Sequence, residues 1–402
     1  MEKWKQREFG ELYKIPSRNG LSKPSRVRGS GYKMINMGEL FSNDRIYNIN
    51  MELVPLTEAE KEKAKIEKND LLFARQSLVA SGAGKCSIVM ETDDLTVFES
   101  HLIRVRLNPQ IADSMFYYYY FKSFNSPIKA IIQHCVQAGI KASDLEKLFV
   151  AVPPLEIQKK IAGILSKIDD KIEENNHINK NLLQQAQELF KAWFVSFEAF
   201  GGEMPSSWDI AKLGDVASIK TNSFSPAKNP NVMLEHYSIP AFDEQKYPVF
   251  ELASNVKSNK YILTENSVMI SKLNPNTKRV WRPMCISEFA VSSTEFIIFE
   301  ANDPNYKDFV FSVIDSAAFA DWMCAHTTGS TNSRQRTTPS ATLEFQIALP
   351  NQEVISDFCK IVTPMYDMIA QNTCENRKLA AFRDSLLPKL MSGELDVSGL
   401  DL

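Results

Sequence analysis

Lysine and arginine are concentrated in three stretches of the chain that contain no aspartate or glutamate. The window 14–33 (KIPSRNGLSKPSRVRGSGYK) holds six basic residues, and the window 271–287 (SKLNPNTKRVWRPMCIS) holds four. The window 323–343 places two arginines among Thr, Ser, Asn and Gln. Such cations contact phosphates, while arginine forks and amides read the edges of bases. The candidate DNA-binding residues, which include three cations next to predicted strands or turns, are Lys14, Arg18, Lys23, Arg26, Arg28, Lys33, Arg75, Lys85, Lys272, Lys278, Arg279, Arg282, Arg334 and Arg336.

The common catalytic motifs are incomplete in this chain. The segment SGAGKCS (81–87) resembles a phosphate-binding loop, but Val79 stands where the first glycine belongs and Cys86 replaces Ser or Thr. A turn between strands fits it better. VPPL (152–155) lacks the amide or acid that a DNA methyltransferase places before its prolines. The histidines and cysteines show no spacing typical of a metal site. We therefore expect no catalytic residue, no bound metal and no cofactor.

Length and composition indicate an ordinary globular protein with more than one domain. The chain has 402 residues, is 44% hydrophobic and carries a formal charge of −3. The sequence has no apolar run long enough to cross a bilayer and no apolar leader. Its six cysteines lie far apart. This usage predicts reduced thiols and a cytoplasmic protein.

The chain contains the same series of motifs twice. WKQREFGEL at 4–12 recurs as WDIAKLGDV at 208–216, 204 residues later. Three further pairs keep the same order at offsets of 194 to 197 residues: 66–75 with 263–272, 97–105 with 291–299, and 143–158 with 340–355. Within each half, strand-like apolar runs alternate with a few helices and loops. The order predicts two homologous α+β halves.

Each half ends in a heptad pattern typical of a coiled coil. Polar residues in a heptad seam must satisfy each other, so the central asparagines fix the register of a helix pair. The connectivity of the halves favours an antiparallel pair. The alternative is two amphipathic helices that are each buried against their own domain. The predicted seam consists of Ile161, Leu165, Ile168, Ile172, Asn175, Asn179 and Leu182, and of Phe358, Val362, Met365, Ile369, Asn372, Asn376 and Leu379.

Two residues of the second helix depart from the pattern. Arg383 interrupts the apolar seam. Pro364 lies inside the helical pattern and should kink the helix or delay its start.

These motifs, the doubled heptad helix and LLPKLMSGEL at 386–395 together resemble the DNA-specificity subunit of type I restriction–modification systems. The resemblance covers essentially the whole chain. With the residue patterns it implies an α+β fold: two homologous mixed α/β target recognition domains separated by two long helices, which form an antiparallel coiled coil with a pseudo-twofold internal repeat. The expected segments are 1–154 and 208–350 (domains), 155–197 and 351–392 (helices), 198–207 (linker) and 393–402 (tail).

The resemblance also implies a function and partners. Each domain would read one half of a bipartite, asymmetric site in double-stranded DNA, and the coiled coil would set the gap. Two methyltransferase (modification) subunits would dock on the helices, where Ile157, Ile164, Ile178 and Leu183 lie outside the seam. Restriction/translocase subunits would complete the complex. S-adenosylmethionine, ATP and Mg²⁺ would bind to partners, and this chain would be noncatalytic.

Two other functions stay open from the sequence. A coiled-coil scaffold without specific DNA binding would need only the helices. A stand-alone DNA-modifying enzyme would need a catalytic site that the motifs do not reveal.

Overall fold

The computed structural model describes residues 4–77, 82–93, 95–134, 138–328 and 335–400. The chain forms two compact units. The first consists of Met1–Ile172 and Arg377–Leu402, and the second of Glu173–Asn376. Each unit therefore contains one globular part and a portion of both long helices.

Two helices of 40 residues dominate the helical content, and the others are short. The described helices are α1 (Met37–Ser42), α2 (Glu58–Ala64), α3 (Ser114–Lys122), α4 (Ala142–Glu146), α5 (Leu155–Phe194), α6 (Leu213–Val216), α7 (Ile239–Gln245), α8 (Lys307–Ile314), α9 (Ala317–Ala325), α10 (Pro339–Thr342) and α11 (Gln352–Met391).

The described strands of the first unit form four sheets, with the strand orders β2-β10-β6-β8-β4, β5-β3-β9, β11-β12-β7 and β1-β13. The central strand β6 has four buried residues (LLFA), as expected of a strand covered on both faces. These strands are β1 (Lys5–Glu8), β2 (Tyr13–Asn19), β3 (Tyr32–Ile35), β4 (Arg45–Ile46), β5 (Glu52–Val54), β6 (Leu71–Ala74), β7 (Gln76–Ser77), β8 (Cys86–Val89), β9 (Val97–Phe98), β10 (Leu102–Leu107), β11 (Gln133–His134), β12 (Ala138–Gly139) and β13 (Phe149–Val152).

Strands of the second unit form sheets with the orders β15-β23-β20-β21, β16-β19-β22-β17-β18, β14-β26 and β24-β25. The strands are β14 (Asp209–Lys212), β15 (Ala217–Lys220), β16 (Ser223–Phe224), β17 (Met233–Tyr237), β18 (Val249–Leu252), β19 (Lys260–Ile262), β20 (Ser267–Ser271), β21 (Val280–Trp281), β22 (Ala290–Ser293), β23 (Phe296–Ala301), β24 (Thr327–Thr328), β25 (Arg336–Thr337) and β26 (Gln346–Leu349).

The sequence repeat is also a repeat of strand pairing. Ile103 of β10 lies opposite Phe73 of β6, and Ile297 of β23 lies opposite Ile270 of β20. These positions correspond at the offsets of 194 and 197 residues seen in the sequence. The neighbouring pairs also correspond: β2 beside β10 with β15 beside β23, and β1 beside β13 with β14 beside β26. The prediction of two homologous α/β halves is confirmed.

The two units differ outside this shared frame. In the first unit the additional sheet has the three strands β5-β3-β9, whereas in the second it has the five strands β16-β19-β22-β17-β18. The same scaffold therefore supports two different sets of loops.

The long helices pack antiparallel within each unit. In the second unit Asn179 of α5 contacts Asn372 of α11, and Phe190, further along α5, packs on Phe358, which is earlier in α11. In the first unit Asp169 of α5 pairs with Arg383 of α11. The predicted antiparallel coiled coil is confirmed. The apolar ends of the helices also belong to the core of their own unit, so both packing modes weighed from the sequence occur together.

The second long helix begins earlier than its proline suggested. α11 starts at Gln352 and continues through Pro364, so the expected delay of its start is wrong. Proline removes one backbone donor, which leaves the Lys360 carbonyl without its usual helical partner. The sequence placed the long helices over 155–197 and 351–392, and the structure gives them as Leu155–Phe194 and Gln352–Met391.

Two further expectations need correction. Arg383 does not simply weaken the seam, because the carboxylate of Asp169 lies 2.5 Å from it. Ile157 and Ile164 are only partly exposed to a partner, since both are half-buried and pack against the core of the first unit. Leu183 packs in the same way against the core of the second.

Candidate nucleic-acid interface

The basic window 14–33 is held closely against the rest of the first unit. Strands β2 and β3 enclose a 3-10 turn at Ser25–Val27. A Cβ atom at Gly20 would lie 2.0 Å from the carbonyl oxygen of Phe98. At Gly31, φ is +107° and a Cβ atom would lie 2.4 Å from the carbonyl oxygen of Val54. Glycine is therefore required at both points, and the loop that carries the cations has a fixed path.

Acids from other segments reach this window, although its own sequence has none. Lys23 Nζ lies 2.8 Å from Glu60 Oε1 of α2, and this contact lowers the pKa of Glu60. Partly exposed pairs such as these contribute little to stability, but they orient the side chains and reduce the local positive charge. Two similar pairs are Arg28 with Glu52 at 2.5 Å and Lys33 with Asp93 at 2.8 Å.

Helix α2, whose sequence EAEKEKA is mostly charged, holds arginines of the first unit at its C-terminal end. Arg18 Nη1 donates to the Lys63 carbonyl at 2.9 Å. Arg104 and Arg106 both donate to the Lys65 carbonyl at 3.3 Å. These carbonyls lie at the C-terminal end of α2, where the helix dipole favours cations. The pattern of residues in this segment does not predict that its carbonyls bind arginines.

Lys85 belongs to a charged cluster around Asp44. Lys85 Nζ lies 3.0 Å from Asp44, and Lys122 Nζ lies 2.7 Å from the same carboxylate. Burial raises the pKa of Asp44, but the two lysines outweigh it and leave the pKa below its ordinary value. Lys85 also lies over the ring of Phe41. Arg75 is half-buried, and its guanidinium contacts the Ser100 carbonyl at 3.5 Å.

The second basic window is tied to acids of the second unit. Arg282 binds Asp308 of α8 through two hydrogen bonds of 2.7 and 3.2 Å, and Asp367 of α11 at 2.8 Å. Burial disfavours its charge, but the two carboxylates outweigh that and raise the pKa of Arg282. The neighbouring cations are also paired, Lys278 with Asp315 at 2.7 Å and Arg279 with Asp243 at 2.7 Å.

The third window meets the second around Glu295. Arg336 of β25 forms two hydrogen bonds, of 2.9 and 3.1 Å, with Glu295. The Lys272 amide donates to the Glu295 carbonyl, and the Thr337 amide donates to the Lys272 carbonyl. The fold therefore brings Lys272 and Arg336 together. Arg334 lies outside the described residues.

Exposure divides the predicted contact residues into two groups. Exposed cations can reach a phosphate directly, whereas half-buried ones shape the loops that carry them. The exposed ones are Lys14, Arg18, Arg26, Lys278 and Arg336. The half-buried ones are Lys23, Arg28, Lys33, Arg75, Lys85, Lys272, Arg279 and Arg282.

The described residues offer little reactive chemistry. No group of three or more His, Cys, Asp or Glu side chains among them is arranged to hold a metal ion. Burial raises the pKa of the Cys285 thiol to about 12 and that of Cys359 to about 11, so neither is a thiolate near neutral pH. Within the same residues, no helix combines the length and apolarity needed to cross a membrane.

Comparison with known proteins gives consistent matches. Residues 1–184 match the family model of the type I restriction modification DNA specificity domain. The specificity subunit of type I restriction enzyme MjaIX from Methanocaldococcus jannaschii is 25% identical over 380 residues, which cover 87% of this chain and 85% of that protein. The specificity subunit of type I restriction enzyme HindI from Haemophilus influenzae is 22% identical in an alignment of 482 positions, which covers 98% of this chain and all of that protein.

The fold has a counterpart among solved structures. The crystal structure of the S subunit of a type I restriction–modification system from M. genitalium matches with a TM-score of 0.64 and 18% identity. The match covers 96% of both chains. At this identity the match concerns the fold: the arrangement of elements is shared.

Proposed function

We propose that the chain is a DNA-specificity subunit of a type I restriction–modification system and that it recognises a bipartite, asymmetric sequence in double-stranded DNA. The match of residues 1–184 to the specificity-domain model and the similarity to specificity subunits along most of the chain support this. Each globular part reads one half of the site. The chain is noncatalytic, needs no cofactor of its own and guides the activities of partner subunits. We place its action in the cytoplasm, together with the DNA that it would bind.

The observation that carries this proposal is that the two globular parts share one arrangement of paired strands but have different additional sheets. The strand registers of β6 with β10 recur in β20 with β23, so the two parts present their loops from equivalent positions. The additional sheets differ, with three strands in one part and five in the other. Two readers with the same frame and different surfaces suit a site whose halves have different sequences.

The exposed cations supply the affinity in this proposal. Lys14, Arg18 and Arg26 in the first unit and Lys278 and Arg336 in the second are exposed. Arg18, Lys278 and Arg336 would exchange their present partners, the Lys63 carbonyl, Asp315 and Glu295, for a phosphate. Each phosphate that a cation neutralises releases counterions, so binding weakens as salt increases. The half-buried arginines, held by acids, keep the reading loops in place.

The long helices set the distance between the two halves of the site. A helix of 40 residues is about 60 Å long at 1.5 Å per residue. One turn of B-DNA spans about 34 Å, so this length suits two half-sites that are at least one turn apart. Two methyltransferase subunits dock on this helix pair, and restriction/translocase subunits join them. S-adenosylmethionine, ATP and Mg²⁺ bind to those partners.

Selection from a random duplex library tests the proposal. The full chain, purified with its methyltransferase partner, is incubated with the library at two salt concentrations. We expect enrichment of one two-part sequence with a fixed gap, and weaker retention at the higher salt. Binding without any enriched sequence would support a scaffold instead. DNA modification by the purified chain alone would support a stand-alone enzyme.

A further inference from the structure

Each long helix carries an aspartate that binds an arginine of the globular part in its own unit. In the first unit Arg45 Nη2 lies 2.5 Å from Asp170 Oδ1 of α5. In the second unit Arg282 Nη2 lies 2.8 Å from Asp367 Oδ1 of α11. Asp170 and Asp367 are 197 residues apart, which is the offset of the sequence repeat around the helix starts. The same helical position therefore makes the same kind of contact in both units.

The preceding helical position repeats this behaviour with different chemistry. Asp169 accepts a hydrogen bond of 2.7 Å from the hydroxyl of Tyr119 in α3. Its equivalent, Tyr366, has its hydroxyl 3.0 Å from that of Ser312 in α8. Helix α3 is the first α-helix after β10, and α8 is the first α-helix after β23, so the two helices hold corresponding places in the repeat. Two consecutive positions on each long helix thus hold the globular part by polar contacts.

The two arginines do not come from equivalent positions of the repeat. Arg45 belongs to β4, the edge strand of the five-stranded sheet. Arg282 directly follows β21, the edge strand of the four-stranded sheet. The two halves therefore make the same contact with arginines from different strands. Duplication of the sequence alone does not explain why both halves have this contact.

Only the arginine of each pair is buried. The Arg45 and Arg282 side chains are 5% and 15% exposed, whereas those of Asp170 and Asp367 are 57% and 51% exposed. Burying an arginine charge costs free energy that apolar packing would not, and its contact with a carboxylate fixes the direction in which the two groups meet. In the second unit the Thr363 hydroxyl donates to Asp308, the other carboxylate bound by Arg282, at 2.7 Å. The network therefore joins the basic loop, α8 and α11.

We infer that Asp170 and Asp367 are positioning residues that set the orientation of each globular part on the long helices, and through it the gap between the two half-sites. This inference rests on the proposed function. Apolar contacts between a globular part and a helix allow small rotations, whereas the directional contact with arginine selects one. A fixed orientation is what a fixed number of unread base pairs requires.

The test measures methylation by the complete complex on three duplexes, with the native gap or with one base pair more or fewer. Asp170→Asn and Asp367→Asn remove the charge with little change in shape, and Asp367→Glu retains a carboxylate. Asp357→Asn, on the exposed surface of α11, is the matched control. We expect the preference for the native gap to fall about tenfold in both Asn variants, the ratio that the loss of one charged hydrogen bond gives. Asp367→Glu should recover much of it, and Asp357→Asn should be unchanged.

Several outcomes would overturn the inference. An unchanged gap preference in Asn variants that melt at the wild-type temperature would do so. Loss of methylation on all three duplexes with unchanged melting would also do so, because it would indicate lost docking of a partner. A wild-type complex that shows no dependence on a two-part site would instead refute the proposed function itself.

Discussion

The side-chain amide of Asn372 donates a hydrogen bond of 2.8 Å to the side-chain oxygen of Asn179. In the adjacent layer the side-chain amide of Asn175 lies 2.9 Å from Asn376 Oδ1 and 2.8 Å from Glu375 Oε2. The middle of the helix pair is therefore polar over two layers. Asn175 and Asn372 hold corresponding positions in the two heptad patterns, but they belong to different layers and do not face each other.

This arrangement predicts unequal effects of single and paired substitutions. Asn372→Leu alone leaves Asn179 without its donor, so we expect a loss of about 1–3 kcal/mol in the free energy of unfolding. Asn179→Leu combined with Asn372→Leu replaces the layer with an apolar pair and should equal or exceed wild-type stability, with looser register. Denaturant unfolding measures both. Gln371→Leu, at an exposed position of the same helix, is the control. A double variant less stable than the single one would contradict the layer.

A second prediction concerns the buried pair of Asp169 and Arg383. Their side chains are 8% and 15% exposed, and Asp169 also accepts a hydrogen bond from Tyr119. Asp169→Ala leaves the arginine charge buried and the tyrosine hydroxyl without its acceptor. We expect a loss of about 3–5 kcal/mol in the free energy of unfolding. Asp384→Ala, which removes the exposed partner of Arg383, should cost about 1 kcal/mol or less. Equal losses in the two variants would show that the buried pair has no special weight.

The pH dependence of stability provides a third prediction. The pKa of Asp44 in the folded protein is lower than the ordinary value of 3.8, because Lys122 and Lys85 outweigh the effect of burial. A carboxylate whose pKa is lower in the folded than in the unfolded protein contributes stability at pH values above its unfolded pKa. This contribution is lost as the pH falls through its folded pKa. The difference in unfolding free energy between wild type and Asp44→Asn should therefore shrink between about pH 5 and pH 3. If the difference in unfolding free energy stays constant over this range, the two lysines do not lower the pKa of Asp44.

The third basic window predicts an effect on one half-site. Arg334→Ala with Arg336→Ala should change the sequence preference of the half-site read by the second globular part and leave the other half-site unchanged. The reason is that Arg336 is exposed on β25 beside Lys272, within a single unit. Library selection with the double variant measures both preferences. Arg26→Ala, in the first unit, is the reciprocal control and should affect only the other half. Unchanged preference in both halves of the Arg334/Arg336 variant would exclude this loop from recognition.

The duplicated architecture was visible in the sequence because repeats and heptads are properties of local order. The offset of 197 residues that aligns the two halves also aligns Phe73 with Ile270 in the paired strands. The seam positions Ile161 and Phe358 are fully buried. Patterns that depend on residue spacing therefore predicted the frame well.

The electrostatics of the loops could not be predicted in the same way. The windows around Arg28 and Arg282 contain no acid, but Glu52 and Asp308 approach them from other elements. Absence of acids in a window says nothing about acids that the fold brings to it. The contact of Asp367 with Arg282 could not be predicted either, because in the sequence Asp367 is one of several polar residues outside the heptad seam.

Mapping of methylated bases in the genome of a host that carries the gene, and of the same host without it, tests the central claim most directly. The claim is that two unlike reading parts on one helix pair specify a single two-part site. We predict methylation at one asymmetric sequence interrupted by a constant gap, present with the gene and absent without it. Identical methylation in both strains, or a gene-dependent sequence that is continuous or palindromic, would contradict it.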